Sequence, residues 1–166
     1  MVVAFLAALV GLVWDRREEA PAPVTSQCSI PGTDVELTTE QTANAATIAA
    51  VARSRGLPAR ATVIALATAQ QESRLRNLDH GDRDSLGLFQ QRPSQGWGTP
   101  EQVQDPVYAA GTFYDHLVEV PGWDVGRLTD IAQAVQRSGY PEAYQKHEGV
   151  AVELAAAMAR DEPLCG

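Results

Sequence analysis

The first fourteen residues, Met1 to Trp14, form a continuous apolar run that ends abruptly at Asp15-Arg16-Arg17-Glu18-Glu19. The run falls short of the roughly 20 residues that span a bilayer as a helix. It has neither a basic leader nor a small-residue cleavage site, and it reads as the later part of a signal anchor. The alternative is a helix buried in the fold. Ala20-Pro21-Ala22-Pro23-Val24 follows as an extended linker. Residues 15–37 are expected to be linker and irregular lead-in, because Pro31-Gly32 signals a turn and Val35-Glu36-Leu37 is too short for a strand.

Periodic patterning begins at residue 38. Thr38-x-x-Gln41 has the form of a capping box. Ala45, Ile48, Ala49 and Ala52 then recur at helical spacing, and the pattern lasts to Arg55. Gly56 stops this helix and Pro58 opens the next. From Ala59 to Leu75 no charge falls between Arg60 and Glu72. A helix apolar nearly all round belongs at the centre of a fold. Asn77 to Pro93 reads as a loop. A third helix runs from Thr99 or Pro100 to Leu117 or Val118, with Asp105-Pro106 breaking it in two. A short helix is expected from Thr129 to Gln136 and a last long one from Pro141 to Ala159. The whole is an all-α domain over residues 38–166 behind an N-terminal hydrophobic segment (1–14) and a linker (15–37).

Composition narrows the function classes. The apolar fraction of 45% supplies a real core, and the low aromatic share of 6% with abundant alanine suits closely packed helices better than a β-sandwich. A net charge of −8 argues against a nucleic-acid binder, since phosphate binding needs clustered Lys and Arg. Cys28 and Cys165 flank nearly all the polar sequence, with no CxxC or Cys/His cluster to suggest zinc. Domain ends often lie close together, so one Cys28–Cys165 bridge is geometrically reasonable, and export would favour it. Two unpaired buried thiols are the alternative. Asp79, Asp82 and Asp84 lack the spacing of a calcium loop and read as solvated acids and turn caps, so no metal is expected. His80, His116 and His147 are far apart and show no ligand spacing.

Glu72 carries the chemistry in this reading. A carboxylate near the end of a buried helix loses hydration and meets the negative end of the helix dipole, and both effects raise its pKa. A carboxylic acid kept neutral near pH 6 can protonate a leaving group. The plain alternative is a structural glutamate paired with Arg74 or Arg76.

Gln71-Glu72-Ser73, followed by Ser85-Leu86-Gly87-Leu88-Phe89-Gln90-Gln91-Arg92-Pro93, resembles the signature of lytic transglycosylases of the soluble lytic transglycosylase type. The resemblance spans roughly residues 40–145, and Asn77 to Thr99 looks especially like exported actinobacterial proteins of that superfamily. It implies a lysozyme-like α domain. Glu72 matches the general acid/base, and Ser73 the residue that orders the turn after it. Ser85 and Gly87 match positions lining the cleft, and Gln90 the glutamine whose amide faces the sugar. The family's Tyr-Asn-Ala-Gly-like stretch has only a Gly and a displaced Tyr in common with Val135-Gln136-Arg137-Ser138-Gly139-Tyr140. Gln136 and Tyr140 are the candidates for that wall, Tyr140 equally readable as packing beside a turn. Trp97 and Trp123 read either as sugar platforms or as loop packing.

The resemblance implies an extracytoplasmic monomer, secreted or held at the membrane by its N-terminal segment. Its partner would be peptidoglycan glycan strands. It would cleave their β-1,4 bond between N-acetylmuramic acid and N-acetylglucosamine without metal or organic cofactor. Two rivals share the residues: a hydrolytic muramidase with Asp82 or Asp84 as second carboxylate, and a non-catalytic wall-binding or scaffolding module.

Overall fold

The computed structural model describes residues 27–165, so the apolar run at 1–14 and the linker to residue 26 lie outside the described residues. The described chain is mostly helical: α1 (Thr39–Ser54), α2 (Ala59–Ser73), α3 (Pro100–Val103), α4 (Pro106–Val118), α5 (Leu128–Gln136) and α6 (Glu148–Ala159). The expected lead-in is more ordered than its sequence suggests. β1 (Gln27–Ser29) and β2 (Glu36–Thr38) pair antiparallel, with Cys28 opposite Leu37. Gly32, at φ 78°, makes the turn between them, and Ile30 N donates to Val35 O at 3.2 Å. Strands of three residues are too short to show alternation, which is why the pattern leaves them out.

Thr38 caps α1 as a reciprocal box: its Oγ1 accepts from Gln41 N at 3.2 Å, and Gln41 Oε1 accepts from Thr38 N at 2.7 Å. Gly56 (φ 67°) ends the helix, with Leu57 N reaching back to Ala52 O at 3.0 Å. α2 is the central helix and packs against α1, α4, α5 and α6. Its run from Ala61 to Ala69 is buried throughout, and its alanines let the neighbours come close. Asp105 both stops α3 and starts α4, its carboxylate accepting from Val107 N at 2.8 Å and Tyr108 N at 3.1 Å.

The last helix begins at Glu148, not at Pro141. Residues 141–144 make turns and Gln145–His147 a single 3-10 turn. The Pro141 carbonyl accepts from Thr129 Oγ1 on α5, and the Tyr144 ring is fully buried. These tertiary anchors hold the segment out of the helix that its composition allows. At the other end Cys28 and Cys165 form a disulfide across 137 residues of sequence, beside a hydrogen bond from Ser29 N to Leu164 O at 3.0 Å. Such a bridge is consistent with an oxidising compartment outside the cytoplasm. Among the described residues no helix is long and apolar enough to cross a membrane.

Candidate functional site

Glu72 lies in the last turn of α2, and the chain leaves that turn through two consecutive left-handed residues, Arg74 (φ 56°) and Leu75 (φ 60°). The start of α1 holds this exit in place. Gln41 Nε2 donates to Arg74 O at 2.7 Å, Asn44 Nδ2 donates to Leu75 O at 2.8 Å, and Glu40 Oε1 accepts from Asn77 N at 3.1 Å. Gln41 therefore caps its own helix with one end of its amide and braces the turn behind Glu72 with the other.

Glu72 opens onto a cavity of about 500 Å³. Asp82, Arg83, Ser85, Gln90, Gln91 and Arg92 line it from the 77–93 loop, Gln95 and Trp97 from the next turn, and the Gln136–Tyr140 segment from the end of α5. Burial pushes the Glu72 carboxyl above its ordinary range, and hydrogen bonding from Tyr144 and the Gln136 amide pulls it partly back. The Tyr144 hydroxyl donates to Glu72 Oε1 at 2.6 Å. Its own pKa rises, through burial first and the Glu72 charge second, so it stays a neutral donor. This is an acid kept partly dry, oriented by one buried phenol, at the edge of a polar cavity.

The residues the sequence singles out fall into two groups. Glu72, Ser85, Gln90, Gln136 and Tyr140 line the cavity. Ser73 and Gly87 are not among its lining residues. Ser73 is buried, with Oγ within hydrogen-bond reach of Ala69 O (3.1 Å) and Leu88 O (2.7 Å), so it ties the loop to the end of α2. A Cβ on Gly87 (φ 75°) would sit 2.1 Å from Val103 O. The glycine is required by close approach to α3. Gln90 lines the cavity but spends its amide donors on His80 O (3.3 Å) and Gly87 O (3.2 Å), so it braces the loop. Gln136 Nε2 likewise donates to Phe89 O at 2.8 Å, joining the two walls. Tyr140, 77% exposed, stands on the rim as an open aromatic face.

Trp97 lines the cavity and stacks on His116 at a centroid distance of 4.2 Å, whereas Trp123 packs against the core and lines neither this cavity nor its neighbour. Asp84 is held by Ser94, whose N donates at 2.8 Å, and by Arg92 Nε at 2.7 Å, and hydrogen bonding from Ser94 first and Arg92 second keeps its carboxyl well below the usual range. It is absent from the cavity lining, which Asp82 joins. His147 meets Gln71 at 3.0 Å, and burial lowers its pKa.

Backbone strain gathers at the same place. Six non-glycine residues among those described have positive φ: Arg74, Leu75, Arg83, Gln90, Arg137 and Asp161. The first two form the turn behind Glu72, and the next three line the cavity. Such conformations persist where surrounding contacts over-determine them, and they cluster at functional sites. Two features escape the sequence pattern. Tyr144 falls in a stretch that reads as helix, and nothing in its spacing pairs it with Glu72. Arg137 sits inside the quoted 135–140 stretch, but its left-handed backbone is set by the end of α5 and has no local signature. No family model matches the chain, and no curated protein matches it.

Proposed function

We propose that the chain is a lysozyme-like enzyme that cleaves peptidoglycan glycan strands between N-acetylmuramic acid and N-acetylglucosamine by a lytic transglycosylase-type reaction. The observation that carries this reading is the desolvated, Tyr144-bonded Glu72 on a polar cavity walled by the Ser85–Arg92 loop that resembles the family signature. Glu72 gives its proton to the glycosidic oxygen as the bond to C1 of the muramic residue breaks, and the acetamido oxygen of that residue closes on C1. Its 6-hydroxyl then displaces the acetamido oxygen, and the Glu72 carboxylate takes the hydroxyl proton and regains its acid form. The glycan ends in a 1,6-anhydro ring and no water is consumed.

One desolvated carboxylate suffices for that sequence, whereas hydrolysis normally uses two. Asp84 is engaged by Arg92 and Ser94, and Asp82 is 94% exposed, which favours the single-acid reaction. The Cys28–Cys165 bridge supports action outside the cytoplasm, where the substrate lies. Mass spectrometry of purified peptidoglycan incubated with the protein tests the reading. It predicts new 1,6-anhydro ends. New reducing ends would indicate a hydrolase using Asp82, and no new ends a binding module.

A further inference from the structure

We infer that Arg137 makes the cleft selective for glycans that carry a carboxylate, an inference that rests on the glycan-cleaving reading above. A second cavity, of about 550 Å³, adjoins the first. Gln95, Trp97, Gln136 and Arg137 line both, so the two adjoin as one groove at these residues. A groove of this combined volume holds several sugar rings, and the junction of its two parts carries one aromatic residue and one cation.

Among the arginines that line the first cavity the state of that cation is distinct, although Arg53, Arg74 and Arg76 elsewhere also make no ion pair among the described residues. Most arginines in the described chain are engaged with acids: Arg55 with Asp115, Arg60 with Glu148, Arg127 with Glu142, Arg160 with Glu162. Of the three that line the first cavity, Arg92 is paired with Asp84 at 2.7 Å, and Arg83 lies 3.9 Å from Asp82. Arg137 forms no ion pair among the described residues, although the chain carries 21 acids against 13 bases. It is exposed, and it holds a left-handed backbone (φ 53°) that disfavours any residue but glycine or asparagine. An unpaired guanidinium in an otherwise acidic protein, where the two parts of a sugar-sized groove meet, fits a planar anion bidentately. On a peptidoglycan strand the anions beside the sugar ring are carboxylates. They are the lactyl carboxylate of muramic acid where the stem peptide has been removed, and the peptide's own carboxylates where it remains.

The test is calorimetric binding in a Glu72→Gln background, which removes turnover. The probes are three glycans of equal length: an uncharged N-acetylglucosamine oligomer, a peptide-free muramic glycan and a peptide-bearing one. The carboxylated glycans should bind about tenfold more tightly than the uncharged one, the scale of one charge-assisted contact. Arg137→Gln should erase that preference, and Arg137→Lys, which keeps the charge without the planar fork, should restore part of it. Whichever carboxylated glycan loses more affinity identifies the source of the carboxylate. Thermal melting checks that both variants fold. If folded Arg137→Gln weakens all three glycans alike, or none, while the unmodified protein still releases glycan ends, this inference alone is overturned. If the unmodified protein binds no glycan and releases no ends, the reading of the cleft falls and takes this inference with it.

Discussion

Tyr144 and Glu72 share one hydrogen bond, and its loss has a readable sign. The phenol donates to the carboxylate and so favours the ionised form. Tyr144→Phe keeps the buried ring and removes that donor, so the Glu72 pKa should rise further. Activity depends on the protonated acid and falls as pH rises through that pKa. The alkaline limb of the kcat/KM profile should therefore move to higher pH in Tyr144→Phe, and a limb that stays in place would remove Tyr144 from the account. The stability consequence has its own sign. A carboxyl whose pKa is raised by folding adds no cost below its unfolded value, while above its folded value the buried charge is fully penalised. Glu72→Gln should melt a few degrees higher than the unmodified protein at pH 8, and the gain should vanish towards pH 4. Equal melting at both pH values would show that Glu72 is well solvated. From sequence, Glu72 stands out because a charge-free helix leads to it. Its partner does not, since the Tyr144–Glu72 contact joins positions 72 residues apart and depends on where α6 begins.

The elements were legible where a local signal sets them. The Thr38–Gln41 box, the Gly56 stop, the charge-free α2 and the Asp105-Pro106 break all rest on contacts within a few residues, and each appears where its signal lies. The β1–β2 pair and the delayed start of α6 depend on distant partners and left no periodic trace. The 77–93 loop shows both situations. Phe89 is fully buried and stacks on Phe113 at 4.6 Å, so Phe89→Ala should cost about 3–5 kcal/mol in a denaturant titration. Gly87 was placed beside the cleft by resemblance, yet its left-handed backbone and the Val103 carbonyl behind it set the requirement. Gly87→Ala should therefore destabilise the fold by about 1–3 kcal/mol through strain and clash. A variant as stable as the parent but poorly active would return Gly87 to the cleft.

At the scale of the whole molecule, the disulfide closes the domain where the two ends of the described chain meet. Replacing both Cys28 and Cys165 by serine removes a cross-link over 137 residues, which the chain-entropy model rates at about 4–5 kcal/mol. The denaturant midpoint should fall accordingly, and an unchanged midpoint would show that the β1–β2 pair holds the ends unaided. The terminal placement of the cysteines together with the export reading points to this bridge, whereas the groove is indicated only by the family resemblance and not by any periodic pattern. Its walls come from the 77–93 loop, the Trp97 turn and the end of α5, brought together only by packing around α2. The central claim is that this groove cleaves glycan through the proton on Glu72. The rate of release of 1,6-anhydro ends from purified peptidoglycan, compared between the unmodified protein and a folded Glu72→Gln variant, tests it most directly. The account predicts steady release by the former and a rate at least about 100-fold lower from the latter, the usual scale of general acid–base catalysis. Equal rates from the two proteins would contradict it.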